Sequence, residues 1–348
     1  MIRVLVVDDS IFMRRVISDA INKEPDMEVC GTATSGEEVV EKAKELRPDV
    51  ITLDIEMPRK NGLIALKEVM SEIPTPVVMF STLTSIGAEA TVVALEIGAV
   101  DFACKPESIT GETLSKVFVE LVPKLRTASK ARFRRAPISV AKPLQVVKPR
   151  LKLASSQKAL LIASSTGGPK ALMTLLESLP KDMPVPCMIV QHMPAGFTKS
   201  LADRLDKIGA FRVREANEDD RLEDGVALLA PGGRHMELVS SSRVALNDGP
   251  DRNGVRPCAD FMFESAAKYL GGNCLGVILT GMGRDGTQGA LALKKAGASI
   301  LGESEQSCVV YGMPKSAKEA GAIDGEFPID QMATAITAAL SGGRRASA

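Results

Sequence analysis

The stretch RVLVVDDS, residues 3–10, runs through four aliphatic residues and closes on two aspartates. A short apolar run bounded by polar residues marks a strand buried on both faces, as in a parallel sheet. A helical pattern starts at about Ile11, and the alternation continues through MEVCGTA (27–33), a helix from about Glu37, PDVITLD (48–54) and PVVMFST (76–82). A helix near 86–97 leads into GAVDFACKP (98–106), and a last helix is expected over about Gly111–Val122. Strands that alternate with helices predict an α/β domain built on a parallel sheet.

Past Val122 the composition shifts. Between Leu121 and Ser156 there are ten Lys or Arg and no acid, whereas residues 1–120 hold 12 basic and 21 acidic side chains. Prolines and like charges oppose a packed core, so residues 123–156 read as an extended basic linker. Phe133 is its lone aromatic, which offers little stacking surface, and the whole chain balances 43 basic against 43 acidic residues. No nucleic-acid partner is therefore expected.

The alternation then resumes with KALLIAS (158–164), a helix opening at Pro169, PCMIVQH (186–192), a helix near 198–207, GVALLAP (225–231) and RVALN (243–247). It ends with a helix near 260–270, CLGVILTG (274–281), a helix near 286–296 and ASILG (298–302). A second α/β domain, Rossmann-like and doubly wound, is expected over 157–342, with a flexible tail at 343–348. Two domains suit a chain of 348 residues. The six cysteines show no CxxC pair and read as reduced core residues. The N-terminus lacks a signal-peptide-length apolar region and no uncharged stretch is long enough to span a bilayer, so a cytoplasmic protein without membrane insertion is expected.

In a parallel sheet the carboxyl ends of the strands share one edge, where functional groups collect. Asp8 and Asp9 end the first strand, Asp54 the third, Ser81 the fourth and Lys105 the fifth. Three converging carboxylates repel one another unless a cation joins them, and such oxygen ligands suit Mg²⁺. With the metal in place, one carboxylate can attack a phosphoryl group. Any single Asp here also reads as a helix cap or turn residue, but four strand ends together favour chemistry. These motifs resemble a two-component response-regulator receiver domain over residues 1–122, a flavodoxin-like fold. The resemblance implies that Asp54 accepts a phosphoryl group from a histidine kinase. It further implies that Asp8, Asp9, Asp54 and the Glu56 carbonyl hold Mg²⁺, that Ser81 and Lys105 contact the phosphoryl oxygens, and that Phe102 moves with them.

The second domain carries ASSTGGP (163–169). A phosphate-binding P-loop needs another spacing and a Ser or Thr after its Lys, which Lys170 lacks. The nucleophile-elbow pattern G-x-S-x-G fits better and centres on Ser165, with Ala163 in place of the first Gly; a Ser-rich helix cap fits the loop equally well. A serine nucleophile needs a base and an acid to orient it. His192 follows the strand PCMIVQ on the same edge as Ser165. His235, the other histidine, suits a structural or substrate-contact role. Asp285, in the glycine-rich VILTGMGRDGTQGA (277–290), is the candidate acid, and taken singly is also a helix cap. Thr166 and Met282 are the candidate backbone donors of an oxyanion hole. The esterase chemistry of such a triad needs no cofactor.

ASSTGGP, VQHMPAGFT, LAPGGRHM, GVILTGMGRDGTQGA and VVYGMPKSA together resemble the catalytic domain of the chemotaxis protein-glutamate methylesterases. The resemblance implies hydrolysis of glutamate γ-methyl esters on chemoreceptors, release of ammonia from receptor glutamines, and inhibition by the receiver until Asp54 is phosphorylated. Two other readings stand beside it: a non-enzymatic output module, and a phosphorylation-gated esterase or amidase acting on small molecules.

Overall fold

The structure, a computed structural model, describes residues 1–105, 111–131, 159–181 and 183–341. The chain divides into two compact units, Met1–Phe133 and Arg134–Ala348.

The first unit alternates five strands with five helices: β1 (Ile2–Val7), α1 (Ile11–Ile21), β2 (Met27–Ala33), α2 (Val39–Leu46), β3 (Val50–Asp54), α3 (Gly62–Glu72), β4 (Val77–Ser81), α4 (Ser85–Ile97), β5 (Asp101–Cys104) and α5 (Gly111–Ala128). The strands form one parallel sheet in the order β2-β1-β3-β4-β5. Every residue of β3, β4 and β5 is buried, as expected of strands covered on both faces. Caps start the helices where the sequence turns polar: Ser10, Asn61 and Thr84 each accept a backbone N–H from three residues on. Gly62 lets α3 press on the site, since a Cβ there would meet the Asp54 carbonyl at 2.0 Å.

Two details depart from the sequence expectation. Helix α3 was not foreseen. Helix α5 also runs six residues past the expected stop at Val122 and takes Pro123 into its interior. Proline usually breaks a helix because it removes one backbone donor. Here the carbonyl left without that donor belongs to Val119, which is 74% exposed, so water can serve it. The remainder of the expected linker and the whole expected tail lie outside the described residues.

The second unit contains β6 (Ala159–Ser164), α6 (Gly168–Ser178), β7 (Cys187–Gln191), α7 (Phe197–Asp206), β8 (Arg212–Glu215), β9 (Val226–Leu229), β10 (His235–Leu238) and β11 (Val244–Asn247). It continues with α8 (Ala259–Tyr269), β12 (Cys274–Ile278), α9 (Thr287–Lys295), β13 (Ser299–Glu303), α10 (Met313–Glu319), β14 (Gly325–Phe327) and α11 (Ile329–Ser341). Seven strands form a parallel sheet in the order β14-β13-β12-β6-β7-β9-β8, and β10 pairs antiparallel with β11. The sequence reading omitted β8, β10, α10, β14 and α11. The strands β8 (RVRE) and β10 (HMEL) are short and carry charge, so they show no apolar run.

From β6 the chain winds to β7, β8 and β9 on one side, then returns to β12 on the other. The carboxyl end of β6 is thus the switch point of a doubly wound sheet, where such folds place their sites. Helix α8 covers this region, with Met262 and Phe263 packed in the core beneath β6 and β7. No helix among the described residues is long and apolar enough to cross a membrane.

Candidate active site and phosphoacceptor pocket

In the first unit the ends of β1, β3 and β5 bring Asp8, Asp9, Asp54 and Lys105 together. Asp8 Oδ1 accepts the Ser10 N–H at 2.9 Å and Asp54 Oδ1 the Glu56 N–H at 3.0 Å. Lys105 Nζ lies 3.1 Å from Asp8 Oδ2 and 2.6 Å from Asp54 Oδ2. Both Oδ2 atoms are buried and face the Lys105 ammonium as an ion pair. Burial pushes the Asp54 carboxyl up to about 6, against the opposing pull of Lys105. The carboxylate oxygens of Asp8, Asp9 and Asp54 lie within 4.8 Å of one another. Converging hard oxygens, with Asp8 and Asp54 buried, fit a cation of the Mg²⁺ type. At the end of β4 the Ser81 hydroxyl donates to the Gly87 carbonyl of α4 at 3.2 Å. Phe102 is buried in β5, with Lys124 Nζ 5.1 Å from its ring centroid.

In the second unit β6 pairs with β7 so that Ser164 faces Gln191, and the next residues on the two strands are Ser165 and His192. On the other flank β12 pairs with β6, and the Ser165 N–H donates to the Thr280 carbonyl at 3.0 Å. Ser165 lies two residues before the N-cap of α6, Gly167, which has φ +77, a conformation that favours glycine. The unpaired amides of a helix N-terminus favour negative charge at that place.

His192 Nε2 lies 2.8 Å from Asp285 Oδ2. Nε2 is thereby engaged by the acid, and Nδ1 is the remaining ring nitrogen. In the serine-protease triad the two nitrogens hold the opposite assignments. The Ser165 hydroxyl makes no hydrogen bond among the described residues. Such bonds often form only with substrate present.

Asp285, 2% exposed, accepts several hydrogen bonds. Its Oδ1 accepts Asn253 Nδ2 at 3.1 Å, the Cys258 thiol at 2.8 Å, and the Asp260 and Gly286 amides at 3.2 and 2.8 Å. Its Oδ2 accepts the Ala259 amide at 2.6 Å as well as His192. Two helix N-termini, those of α8 and α9, therefore converge on one carboxylate. Burial alone raises its carboxyl, but His192 and then Cys258 and Ala259 outweigh it and hold Asp285 well below the usual carboxylate range. Burial, followed by the charge of Asp285, pushes the Cys258 thiol up, so it stays protonated and donates.

A cavity of about 570 Å³ opens beside this pair, lined by His192, Asn253, Met282, Arg284, Asp285 and Ser316 among others. Met282 is 42% exposed on its wall, while Thr166 is buried beside Ser165. His235 is fully buried, with its ring 4.3 Å from that of Phe261, which gives it a structural place away from the base.

Sequence reasoning missed several residues that hold this edge. Gln191, 2% exposed, donates to the Ser165 and His192 carbonyls at 3.0 and 3.1 Å and accepts the Ser164 hydroxyl at 2.7 Å. Its signal was present: a polar residue closing an apolar strand, like Asp54. Asn253 and Cys258 had no such signal, because only the packing of α8 on α9 brings them to Asp285.

Two family models match this chain: one described as Response regulator receiver domain over residues 4–115, the other as CheB methylesterase over 160–336. The class defined is a response regulator, a receiver domain followed by a methylesterase domain. A protein-glutamate methylesterase/protein-glutamine glutaminase of Pyrococcus abyssi is 43% identical over 347 residues, 97% of this chain and 94% of that protein. The protein of the same description from Thermotoga maritima is 46% identical over 334 residues, 94% of this chain and 95% of its own. The chain belongs to the protein-glutamate methylesterase/protein-glutamine glutaminase family. The crystal structure of the Thermotoga maritima CheB methylesterase catalytic domain superposes with a TM-score of 0.50 at 40% identity, over 52% of this chain and 98% of that one.

Proposed function

We propose that this protein is a phosphorylation-activated hydrolase that demethylates glutamate γ-methyl esters on chemoreceptors and deamidates receptor glutamines in the cytoplasm. The observation that carries the reading is the 2.8 Å contact of His192 with Asp285 at the sheet edge where Ser165 ends the β6 turn.

In the reaction, His192 Nδ1 takes the Ser165 proton as Oγ attacks the γ-carbonyl carbon of the ester. The negative charge that develops on the carbonyl oxygen is held by the Thr166 and Met282 amides, at the positive end of α6. Collapse of the intermediate expels methanol, which receives its proton from His192, and leaves an acyl group on Ser165. Water, deprotonated by His192, then releases glutamate. With glutamine the leaving group is ammonia. Asp285, held ionised by its many donors, fixes the ring with its Nε2–H toward the acid and stabilises the imidazolium.

In the receiver, Asp54 accepts a phosphoryl group from a histidine kinase. Asp8, Asp9, Asp54 and the Glu56 carbonyl would hold Mg²⁺, which supplies the charge that offsets the phosphoryl oxygens. Lys105 contacts those oxygens, Ser81 turns from Gly87 toward them, and Phe102 follows. Phosphorylation adds about 1.5 to 2 negative charges, enough to shift the balance between inhibited and active states.

The triad is tested by methanol release from membranes bearing methylated chemoreceptors. Ser165→Ala should lower the rate by about 10³-fold or more while the protein stays folded. Undiminished release by the variant would exclude Ser165 as nucleophile, and equal rates on a generic ester would point to a small-molecule substrate.

A further inference from the structure

Glu303 closes β13, and its side chain is 1% exposed. Among the described residues it pairs with no cation. Burial raises its carboxyl, and only the Thr280 amide, Ser307 and Cys308 oppose that. An acid buried without a counter-charge costs folding free energy, and such a cost invites a search for use. Its contacts are specific: Oε2 accepts the Thr280 N–H at 2.8 Å and Oε1 the Ser307 hydroxyl at 2.8 Å.

Thr280, also 1% exposed, is the junction of three segments. Its carbonyl accepts the Ser165 N–H at 3.0 Å. Its hydroxyl donates to the Thr166 carbonyl at 3.0 Å and accepts the Val310 N–H at 2.9 Å. The next residue, Gly281, donates to the Val310 carbonyl and accepts the Gly312 and Met313 amides at 3.1 and 2.8 Å. Met282 follows directly. The peptide that Glu303 grips thus bonds to the nucleophile and to Thr166 on one side and leads into Met282 on the other.

We infer that Glu303 is a positioning residue for the hydrolase: acting through the Thr280 amide, it sets the spacing between the Thr166 and Met282 amides that receive the developing oxyanion. The inference rests on the serine mechanism proposed above. What the position requires is a buried hydrogen-bond acceptor at the reach of a glutamate side chain, and the charge itself is dispensable. A misplaced donor weakens the transition state more than the bound substrate, so the loss falls on kcat.

The test compares the full-length protein with Glu303→Met, Glu303→Gln, Glu303→Asp and Ser165→Ala in methanol release from methylated receptor membranes, with thermal unfolding of each. Glu303→Met, apolar and of similar size, should lower kcat about 10- to 100-fold with KM within about twofold, whereas Glu303→Gln should keep kcat within about threefold of the wild type. Glu303→Asp, whose carboxylate is one methylene too short to reach the Thr280 amide, should lower kcat in the same way, and it decides the matter should Glu303→Met fail to fold. The inference is overturned by a folded Glu303→Met with wild-type kcat, by a Glu303→Gln as impaired as Glu303→Met, or by an unaffected Glu303→Asp. An active Ser165→Ala would instead show that the serine mechanism had failed, which separates the two outcomes.

Discussion

At single residues, the two candidate sites treat their aspartates in opposite ways. Asp285 is surrounded by donors and held ionised. Asp54 has the Glu56 amide on one oxygen and the Lys105 ammonium at the other, and burial still lifts it to about 6. A carboxyl raised on folding binds its proton more tightly in the folded chain. Asp54 therefore favours the fold below the ordinary carboxylate range and loses that contribution as pH rises through about 6. Asp54→Asn, which cannot ionise, should unfold at higher temperature than the wild type near neutral pH without Mg²⁺. The gain is about 1–2 kcal/mol, and it narrows toward pH ~4. Thermal unfolding across that range checks this. A variant less stable at every pH would mean that the lost partner of Lys105 outweighs the relieved carboxylate. Asp54, Ser165, His192 and Asp285 were all legible in the sequence, because each ends or closely follows an apolar strand. The acceptors and donors that tune them were not: Asn253 and Cys258 reach Asp285 across 32 and 27 residues of chain.

Among the elements, the turn from β6 into α6 depends on a close approach that only glycine permits. A Cβ on Gly168 would fall 2.0 Å from Gln191 Oε1 and 2.8 Å from Ser164 Cβ. Gln191 is buried and triply bonded, so it cannot swing aside without releasing the Ser165 and His192 carbonyls. Gly168→Ala should therefore cost about 1–3 kcal/mol in thermal unfolding and at least about tenfold in methanol release. Activity within twofold of the wild type would show that Gln191 does not hold the two residues in place. The parallel sheet at this edge followed from strands alternating with helices, yet the strand order and the element boundaries did not. Pro123 signalled a stop that solvent at Val119 made unnecessary. The charged strands β8 and β10 lack the apolar run that betrays a buried strand, and their pairing partners, β9 and β11, supply the order.

In the whole molecule, two parallel-sheet domains each concentrate chemistry at the carboxyl ends of strands next to a switch point, which is why two short sets of motifs sufficed to read the architecture. Their functional coupling is the central claim: one domain takes up phosphate, the other cleaves an ester, and the first governs the second. The direct measurement is methanol release from methylated receptor membranes by the full-length protein, with and without a small phosphodonor and Mg²⁺, beside Asp54→Asn. The account predicts that the phosphodonor raises the wild-type rate about tenfold or more and leaves Asp54→Asn at its basal rate, an effect of the size expected for regulatory coupling. A wild-type rate unmoved by the phosphodonor, with Asp54 shown to be phosphorylated, would contradict it.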